Sequence, residues 1–201
     1  MQMHLTIVSA LFLLFLYPAL FSCAAAARNQ PQDLIRSSCS HARYPSLCLQ
    51  TLSNYGGPAN TPKDLAQAAV RVSLAQARRV SDYIRSQAAS SQSKSVSKRQ
   101  RVALSDCVEQ LSDSVDDLSK TLNELQHLRV ETFDWQMSNA QTWVSAALTN
   151  DDTCLDGFNG VDGKLKMDVK GRITNVAMVT SNALYMINRL DDSRGKPRSK
   201  P

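Results

Sequence analysis

The chain has 201 residues, a formal net charge of +5, five cysteines and three histidines. His41 and His127 lie beyond the apolar N-terminal segment, and neither stands in a G-x-S-x-G or Cys-His setting, which argues against a nucleophilic enzyme. The cysteines lack the paired C-x-x-C spacing that zinc sites use, so a zinc protein is also disfavoured.

The N-terminal segment predicts a secretory signal peptide. Leu5 to Phe21 form a mostly apolar run that contains Thr, Ser, Tyr and Pro, so it is too short and too interrupted for a membrane span. The small residues Cys23 to Ala27 then supply cleavage sites of the A-x-A type. We expect residues 1–27 to be removed on secretion, which leaves four cysteines, no membrane segment, and enough chain for one domain with a full core.

Residues 28–60 predict a short helical hairpin, with Pro45 at the start of its second helix. Cys39 and Cys48 would lie about 13 Å apart along one unbroken helix. A disulfide requires roughly 4.4 to 6.8 Å between α-carbons. Pairing of these two cysteines therefore requires the chain to turn back near Pro45.

Four long amphipathic segments follow, at about 62–89, 99–127, 134–156 and 165–190. Spacings of three and four separate the apolar residues of the second segment: Leu104, Val108, Leu111, Val115, Leu118, Leu122 and Leu125. Strand-like alternation is almost absent. The sequence predicts an all-α fold in which residues 61–190 form an up-and-down four-helix bundle after the hairpin.

Local signals mark the ends of these segments. Thr61 is the expected N-cap of the first long helix, with Asp64 at the third helical position. Ser90–Lys98 and Gly157–Gly163 are typical of surface loops. Residues 191–201 are rich in Lys and Arg and predict a disordered basic tail.

Cys107 and Cys154 form the second predicted disulfide. Each stands next to the regularly spaced apolar residues of its helix, so both can lie where two packed helices touch. Four cysteines permit three connectivities, and helix geometry favours the sequential one. On the loop-entropy model its closed loop of about 48 residues is worth on the order of 4 kcal/mol, against somewhat under 3 for the hairpin disulfide.

The segment DCVEQLSDSVDDL, residues 106–118, gathers five carboxylates in a basic protein. At about 100° per residue, Glu109, Asp113 and Asp116 share a sector of roughly 60° on the outer face of their helix. Such a stripe is either a solvated helix face or a surface that meets a partner. Composition alone favours the solvated face.

Residues 33–190 resemble the plant invertase and pectin methylesterase inhibitor family. The segments that carry the resemblance are SSCSHARYPSLCLQTLS, ALSDCVEQLSDSVDDLSKTLNEL, NAQTWVSAALTNDDTCLDGF and VTSNALYMINRL. The resemblance implies a four-helix bundle with an N-terminal hairpin and one disulfide in each part. It also implies a protein without catalytic activity or cofactor, which forms a one-to-one complex with a carbohydrate-active enzyme of the cell wall or vacuole.

The resemblance assigns six residues to the contact with a target enzyme. In the pectin methylesterase inhibitors, acids two, six and nine positions after the third cysteine touch the esterase, and these positions hold Glu109, Asp113 and Asp116. On the third bundle helix the corresponding residues are Gln141, Thr153 and Asp156. Gln141 departs from the expected Asn, and Thr153 and Asp156 are equally compatible with helix capping and loop solvation.

Pectin methylesterase is the favoured partner, with acid invertase as the alternative. Invertase-directed members of the family are expected to carry Pro-Lys-Phe between the second and third bundle helices, whereas this chain reads QHLRVETFDWQMSN there. The resemblance also implies secretion to the extracellular space, the apoplast and cell wall. A secreted chain is an implausible nucleic-acid partner.

A pectin-binding wall module without inhibitory activity is an alternative of a different class. Demethylated pectin is a polyanion that Lys and Arg side chains would attract. Ordinary solubility is the simpler explanation for the Lys and Arg residues in question. They lie in the tail and in one loop: Arg194, Lys196, Arg198, Lys200, Lys94, Lys98, Arg99 and Arg101. No metal site is expected, because DDTCLDGFNGVDG places Gly163 where a calcium loop requires Glu.

Overall fold

A computed structural model describes residues 31–91, 96–161 and 163–193, and all regular structure in these ranges is α-helical. Residues 31–39 form α1. The other helices are α2 (Pro45–Ser53), α3 (Pro62–Ser91), α4 (Lys98–Gln126), α5 (Phe133–Gly157) and α6 (Lys164–Ser193). The all-α fold is confirmed, and each long helix begins and ends within three residues of the expected position.

Helices α3 to α6 form the four-helix bundle as a closed ring. α3 packs against α4 and α6, and α5 packs against the same two helices. Contacts between α4 and α5 run in opposite order along the two helices, from Cys107–Cys154 through Ser114–Asp151 to Glu124–Asn139. The helices are therefore antiparallel, and the α4–α5 edge of the ring lies opposite the α3–α6 edge.

The core-facing line of α4 differs from the expected apolar seam. Leu104, Leu111, Leu118 and Leu125 are fully buried, as expected. Between them the helix turns Cys107, Ser114 and Thr121 inward and leaves Val108, Val115 and Leu122 only partly buried at the border of the core. Small side chains suit these inner positions because each has a bonding partner there. Cys107 forms the disulfide, the Ser114 hydroxyl donates to Asp151, and the Thr121 hydroxyl donates to the Asp117 carbonyl.

Capping boxes begin two of the long helices. Asp64 N–H donates to Thr61 Oγ1 at 3.1 Å, and Thr61 N–H donates back to the Asp64 carboxylate at 3.1 Å, as the sequence predicts. A second box joins Ser97 and Gln100 at the start of α4. Both helix starts are therefore fixed by local side chains, independently of the bundle core.

The N-terminal hairpin is held in two ways. Cys39 and Cys48 form a disulfide with 5.5 Å between α-carbons, so the chain turns back before Pro45 as expected. Asn182, buried in α6, joins the hairpin to the bundle. Its side chain accepts from Tyr44 N–H and donates to the Tyr44 carbonyl, both at 3.0 Å. These two hydrogen bonds fix the turn between α1 and α2 against α6.

Two expectations outside the helices require correction. The 157–163 segment is not simply a surface loop, because Phe158 and Val161 are buried in the core. Gly160 has φ 71°, a backbone conformation that other residues rarely adopt, which explains a glycine at that point. The expected tail starts too early, since α6 continues to Ser193, whose hydroxyl donates to the Leu190 carbonyl.

Residues 1–27, the predicted signal peptide, lie outside the described residues, and so do 92–95 and 194–201. Among the residues that the structure describes, no helix is both long and apolar enough to cross a membrane. Lys94 and the tail cations Arg194, Lys196, Arg198 and Lys200 are among the residues outside the described ranges. Arg101, by contrast, donates to the Val96 carbonyl at 2.6 Å, and so one of the loop cations is engaged within the chain.

The two disulfides should contribute unequally to stability. Replacing Cys107 and Cys154 together with Ala opens a loop of sequence separation 47, against 9 for the Cys39–Cys48 pair. On the loop-entropy model the bundle pair should cost about 1 to 1.5 kcal/mol more in unfolding free energy than the hairpin pair. Urea unfolding of the two double variants measures the difference. Equal losses would contradict the loop-length argument.

Candidate functional site

The predicted acidic stripe lies on the outer face of α4. Glu109, Asp113 and Asp116 are all exposed, while Leu111, in the same two turns, is fully buried. Residues four and three apart recur on one side of a helix, so the three carboxylates form a single line. At 1.5 Å per residue they follow one another by roughly 6 and 4.5 Å along the helix axis.

The stripe borders a groove between α4 and α5. The groove has a volume of about 480 Å³ and receives Asp113 and Asp116 from α4. Its α5 side consists of Ala146, Thr149 and Asn150. Two of the three predicted acids therefore face a neighbouring helix as well as solvent, and a partner that contacts them also meets α5.

A neutralised ion pair lies at the base of this groove. Asp117 is only 8% exposed, and its carboxylate accepts from Lys120 Nζ at 3.0 Å and from Asn150 Nδ2 at 3.3 Å. Lys120 Nζ also lies 4.5 Å from the centre of the Trp143 ring. Asp117 therefore links α4 to α5, a contact that residue spacing within α4 does not reveal.

The hydroxyl groups along the outer side of α5 are directed toward their own helix. Thr142, Ser145, Thr149 and Thr153 each donate to the carbonyl oxygen four residues earlier, and Thr153 does so at 2.8 Å. Thr153 and Asp156 follow Thr149 by four and seven residues, so they continue its side of the helix. Both are exposed, and Asp156 accepts a 3.4 Å hydrogen bond from Asn159.

The Cys107–Cys154 disulfide brings the two parts of the predicted site to the same end of the bundle. Glu109 stands two residues after Cys107, and Thr153 and Asp156 flank Cys154. Since α4 and α5 are antiparallel, the acidic stripe and the polar end of α5 run side by side. The structure therefore joins five of the six predicted residues into one surface, which we call the acidic face: Glu109, Asp113, Asp116, Thr153 and Asp156.

Gln141, the sixth predicted residue, lies elsewhere. It is nine residues before Asn150, so the two project about 180° apart around α5. Asn150 meets α4, whereas the Gln141 amide donates to Asp191 of α6 at 3.2 Å. Gln141 therefore lies at the border between α5 and α6, and only a partner that spans the width of α5 would touch it together with the stripe.

Asp151 is a buried carboxyl group beneath the acidic face. Its Oδ1 accepts from Ser114 Oγ at 3.0 Å, and its Oδ2 has no hydrogen-bond partner among the described residues. Burial raises the pKa of Asp151 from 3.8 to about 7. The Asp152 charge adds to this rise, and the Ser114 hydrogen bond partly offsets it. Sequence reasoning missed this group because nothing local distinguishes it from the exposed Asp152.

Comparison with known proteins agrees with this architecture. Residues 33–186 match the family model described as plant invertase/pectin methylesterase inhibitor. The chain is 52% identical to pectinesterase inhibitor 3 of Arabidopsis thaliana over 176 residues, 84% of each chain. It is 39% identical to a 21 kDa protein of Daucus carota over 179 residues, 86% of this chain and 91% of that one.

A solved structure shares the fold. The crystal structure of a mutant form of a pectin methylesterase inhibitor from Arabidopsis superposes with a TM-score of 0.61 at 23% identity. The match covers 75% of this chain and 92% of that one. At this identity the likeness concerns the helical architecture alone.

The Asp151 carboxyl group should make stability fall as pH rises. Its folded pKa is above its unfolded value, so between about pH 4 and 7 the folded state holds a proton that the unfolded state has lost. Ionisation in the core should cost on the order of 4 kcal/mol, reached near pH 7 and constant above it. Asp151→Asn removes the titration. Urea unfolding of both proteins from pH 4 to 8 measures the difference.

Asp152→Asn is the matched control, because it removes a neighbouring carboxylate that is exposed. We expect its unfolding free energy to decline with pH slightly less than that of the wild type, because the Asp152 charge is a minor cause of the raised Asp151 pKa, while Asp151→Asn loses the decline. If the Asp151→Asn and wild-type curves run parallel, the buried carboxyl group does not titrate in this range.

Proposed function

The chain belongs to the plant invertase/pectin methylesterase inhibitor family, and we propose that it inhibits pectin methylesterase by filling the substrate cleft of the enzyme in a one-to-one complex. The family match covers residues 33–186, and alignments with two pectinesterase inhibitors of Arabidopsis thaliana span 84% and 86% of the chain, which supports the choice of target. The protein is an inhibitor of an enzyme and not itself an enzyme.

The acidic face is the observation that carries this proposal. α5 holds four carboxylates and no Lys or Arg, and α4 holds six carboxylates and four cations. An enzyme that removes methyl esters from a polyuronate needs subsites that accept carboxylates or their esters. Carboxylates at fixed helical spacing can occupy such subsites, while the bulk of the bundle excludes the polymer.

The rigidity of the acidic face supports a tight complex. Its residues lie on two long helices, and the helices are joined by a disulfide and by the Ser114–Asp151 and Asp117–Asn150 hydrogen bonds. A preformed surface loses little conformational entropy on binding, so more of the contact energy appears as affinity. Loops carry none of the five residues of the acidic face.

The six site residues have different roles in this proposal. Glu109, Asp113 and Asp116 supply the charge that meets the cleft. Thr153 and Asp156 extend the contact along α5 to the end of the helix. Gln141 is a peripheral contact, which the enzyme reaches only if it also covers the border between α5 and α6.

Secretion and action in the cell wall form part of the same proposal. The predicted signal peptide and the two disulfides suit an oxidising extracellular compartment. Acid invertase is the other candidate target within the family. Titration of the purified protein into a plant pectin methylesterase and a plant acid invertase, side by side, decides between the two enzymes.

Charge reversal across the stripe should abolish inhibition. The triple variant Glu109→Lys, Asp113→Lys, Asp116→Lys places three cations where the cleft is expected to take carboxylates, so we expect the inhibition constant to rise by at least about a hundredfold. The substituted residues are exposed, and therefore the melting temperature should change little. Pectin demethylesterification assays and thermal melts provide the two measurements.

The control variant carries the same change in net charge on other helices: Asp33→Lys, Asp82→Lys, Asp192→Lys. These carboxylates are exposed and none lies on α4 or α5. It should inhibit nearly as well as the wild type. If both triple variants lose inhibition equally, net charge governs the complex and the acidic face is not the contact surface.

A further inference from the structure

Charge is segregated between opposite edges of the bundle. α4 and α5 together carry ten carboxylates and four Lys or Arg residues, whereas α3 and α6 carry ten Lys or Arg residues and five carboxylates. The formal net charges of the two helix pairs are therefore −6 and +5. Since the α3–α6 edge lies across the ring from the acidic face, the protein has one negative and one positive side.

A groove of about 570 Å³ runs along the positive edge, between α3 and α6. Arg79 of α3 and Arg172 of α6 both line it, together with Asp168, Val80 and Gly171. Arg79 is exposed, and a β-carbon placed on Gly171 would meet nothing within 4 Å, so the middle of the groove is open. The groove therefore presents two guanidinium groups and the Asp168 carboxylate around an open space at Gly171.

Arg172 is held in place within this groove. Its guanidinium lies 4.0 Å from the centre of the Tyr83 ring, and its Nε lies 3.4 Å from the Asp168 carboxylate. The Tyr83 hydroxyl donates to the same carboxylate. That hydrogen bond, and then the Arg172 charge, lower the pKa of Asp168. Asp168 thus positions Arg172 and offsets part of its charge, whereas Arg79 takes part in none of the ion pairs found among the described residues.

The rest of the lining suits a sugar ring. Gln76 and Asn175 are hydrogen bonded to each other across the groove and offer further amide groups to hydroxyls. Met167 is 70% exposed beside the open Gly171, which gives a short apolar strip on one side. A pyranose has one such apolar face of C–H groups and a rim of hydroxyls, so its two kinds of surface have matching partners here.

We propose that the α3–α6 groove binds a demethylated stretch of polyuronate, a chain of uronic acid residues whose carboxylates pair with Arg79 and with the terminal N–H groups of Arg172, whose Nε faces Asp168. Guanidinium groups bind carboxylates through paired N–H donors. The choice of polyuronate rests on the proposed function, because hydrolysis of pectin methyl esters creates these carboxylates. With the enzyme on the acidic face, the opposite edge remains free to hold the polymer.

The Arg79 charge provides the direct test. Arg79→Glu should weaken binding of an unesterified oligogalacturonate about tenfold or more, because it removes a charge-assisted contact and adds a repulsive one. Arg78→Glu is the matched control, since its charge change is identical but Arg78 lines a different groove, between α3 and α4. We expect less than a twofold effect from it. Isothermal titration calorimetry without enzyme gives both affinities.

Gly171→Leu fills the groove without changing its charge. Leucine favours a helix more than glycine does, so the variant should fold at least as well as the wild type while binding the oligomer several-fold more weakly. Two further ligands test selectivity. A fully methyl-esterified oligogalacturonate of the same length should not bind, and polyglutamate of equal charge should bind weakly and respond equally to Arg78→Glu and Arg79→Glu.

Three results would overturn this proposal: no binding of the unesterified oligomer, equal losses in Arg78→Glu and Arg79→Glu, or unchanged binding by Gly171→Leu. These outcomes are separable from the inhibitor function. Arg79→Glu should still inhibit the esterase, and the variant with Lys at 109, 113 and 116 should still bind the oligomer. Loss of inhibition alone would count against the proposed function and leave the groove intact.

Discussion

The antiparallel register of α4 and α5 is the constraint on which the rest of the molecule depends. The Cys107–Cys154 disulfide fixes it at one level, and the Ser114–Asp151 hydrogen bond fixes it again, seven residues further along α4 and three residues earlier on α5. This register places the acids of α4 next to the polar side of α5 and creates the groove between them. A shift of one helical turn would leave both helices amphipathic but would separate the two parts of the acidic face.

Most of the fold could be predicted from the sequence because its signals are local. Apolar spacings of three and four mark the long helices, and Thr61 with Asp64 marks a helix start before any tertiary contact is known. The inner line of α4 could not be predicted in the same way. Hydrophobicity favours Val108 over Cys107 and Val115 over Ser114, but the disulfide and the Ser114–Asp151 hydrogen bond turn the smaller residues inward.

The candidate site, like the fold, could be predicted from local spacing but not where it depends on contacts between helices. Helical spacing alone places Glu109, Asp113 and Asp116 on one exposed face, and the structure has them there. The spacing within one helix does not reveal which neighbour lies on each side, so the position of Gln141 near α6 emerged only from the ring order. Burial of Asp151 and the arginine groove likewise depend on contacts between helices that are far apart in sequence.

The hydroxyl pattern of α5 has a consequence for recognition. The Thr149 and Thr153 hydroxyl groups donate to backbone carbonyls of α5. Lys120 Nζ and Asn150 Nδ2 each donate to the Asp117 carboxylate. What the acidic face shows to solvent is then carboxylate oxygens, hydroxyl lone pairs and threonine methyl groups. Such a face accepts more hydrogen bonds than it donates. Any molecule that docks there has to bring the donors.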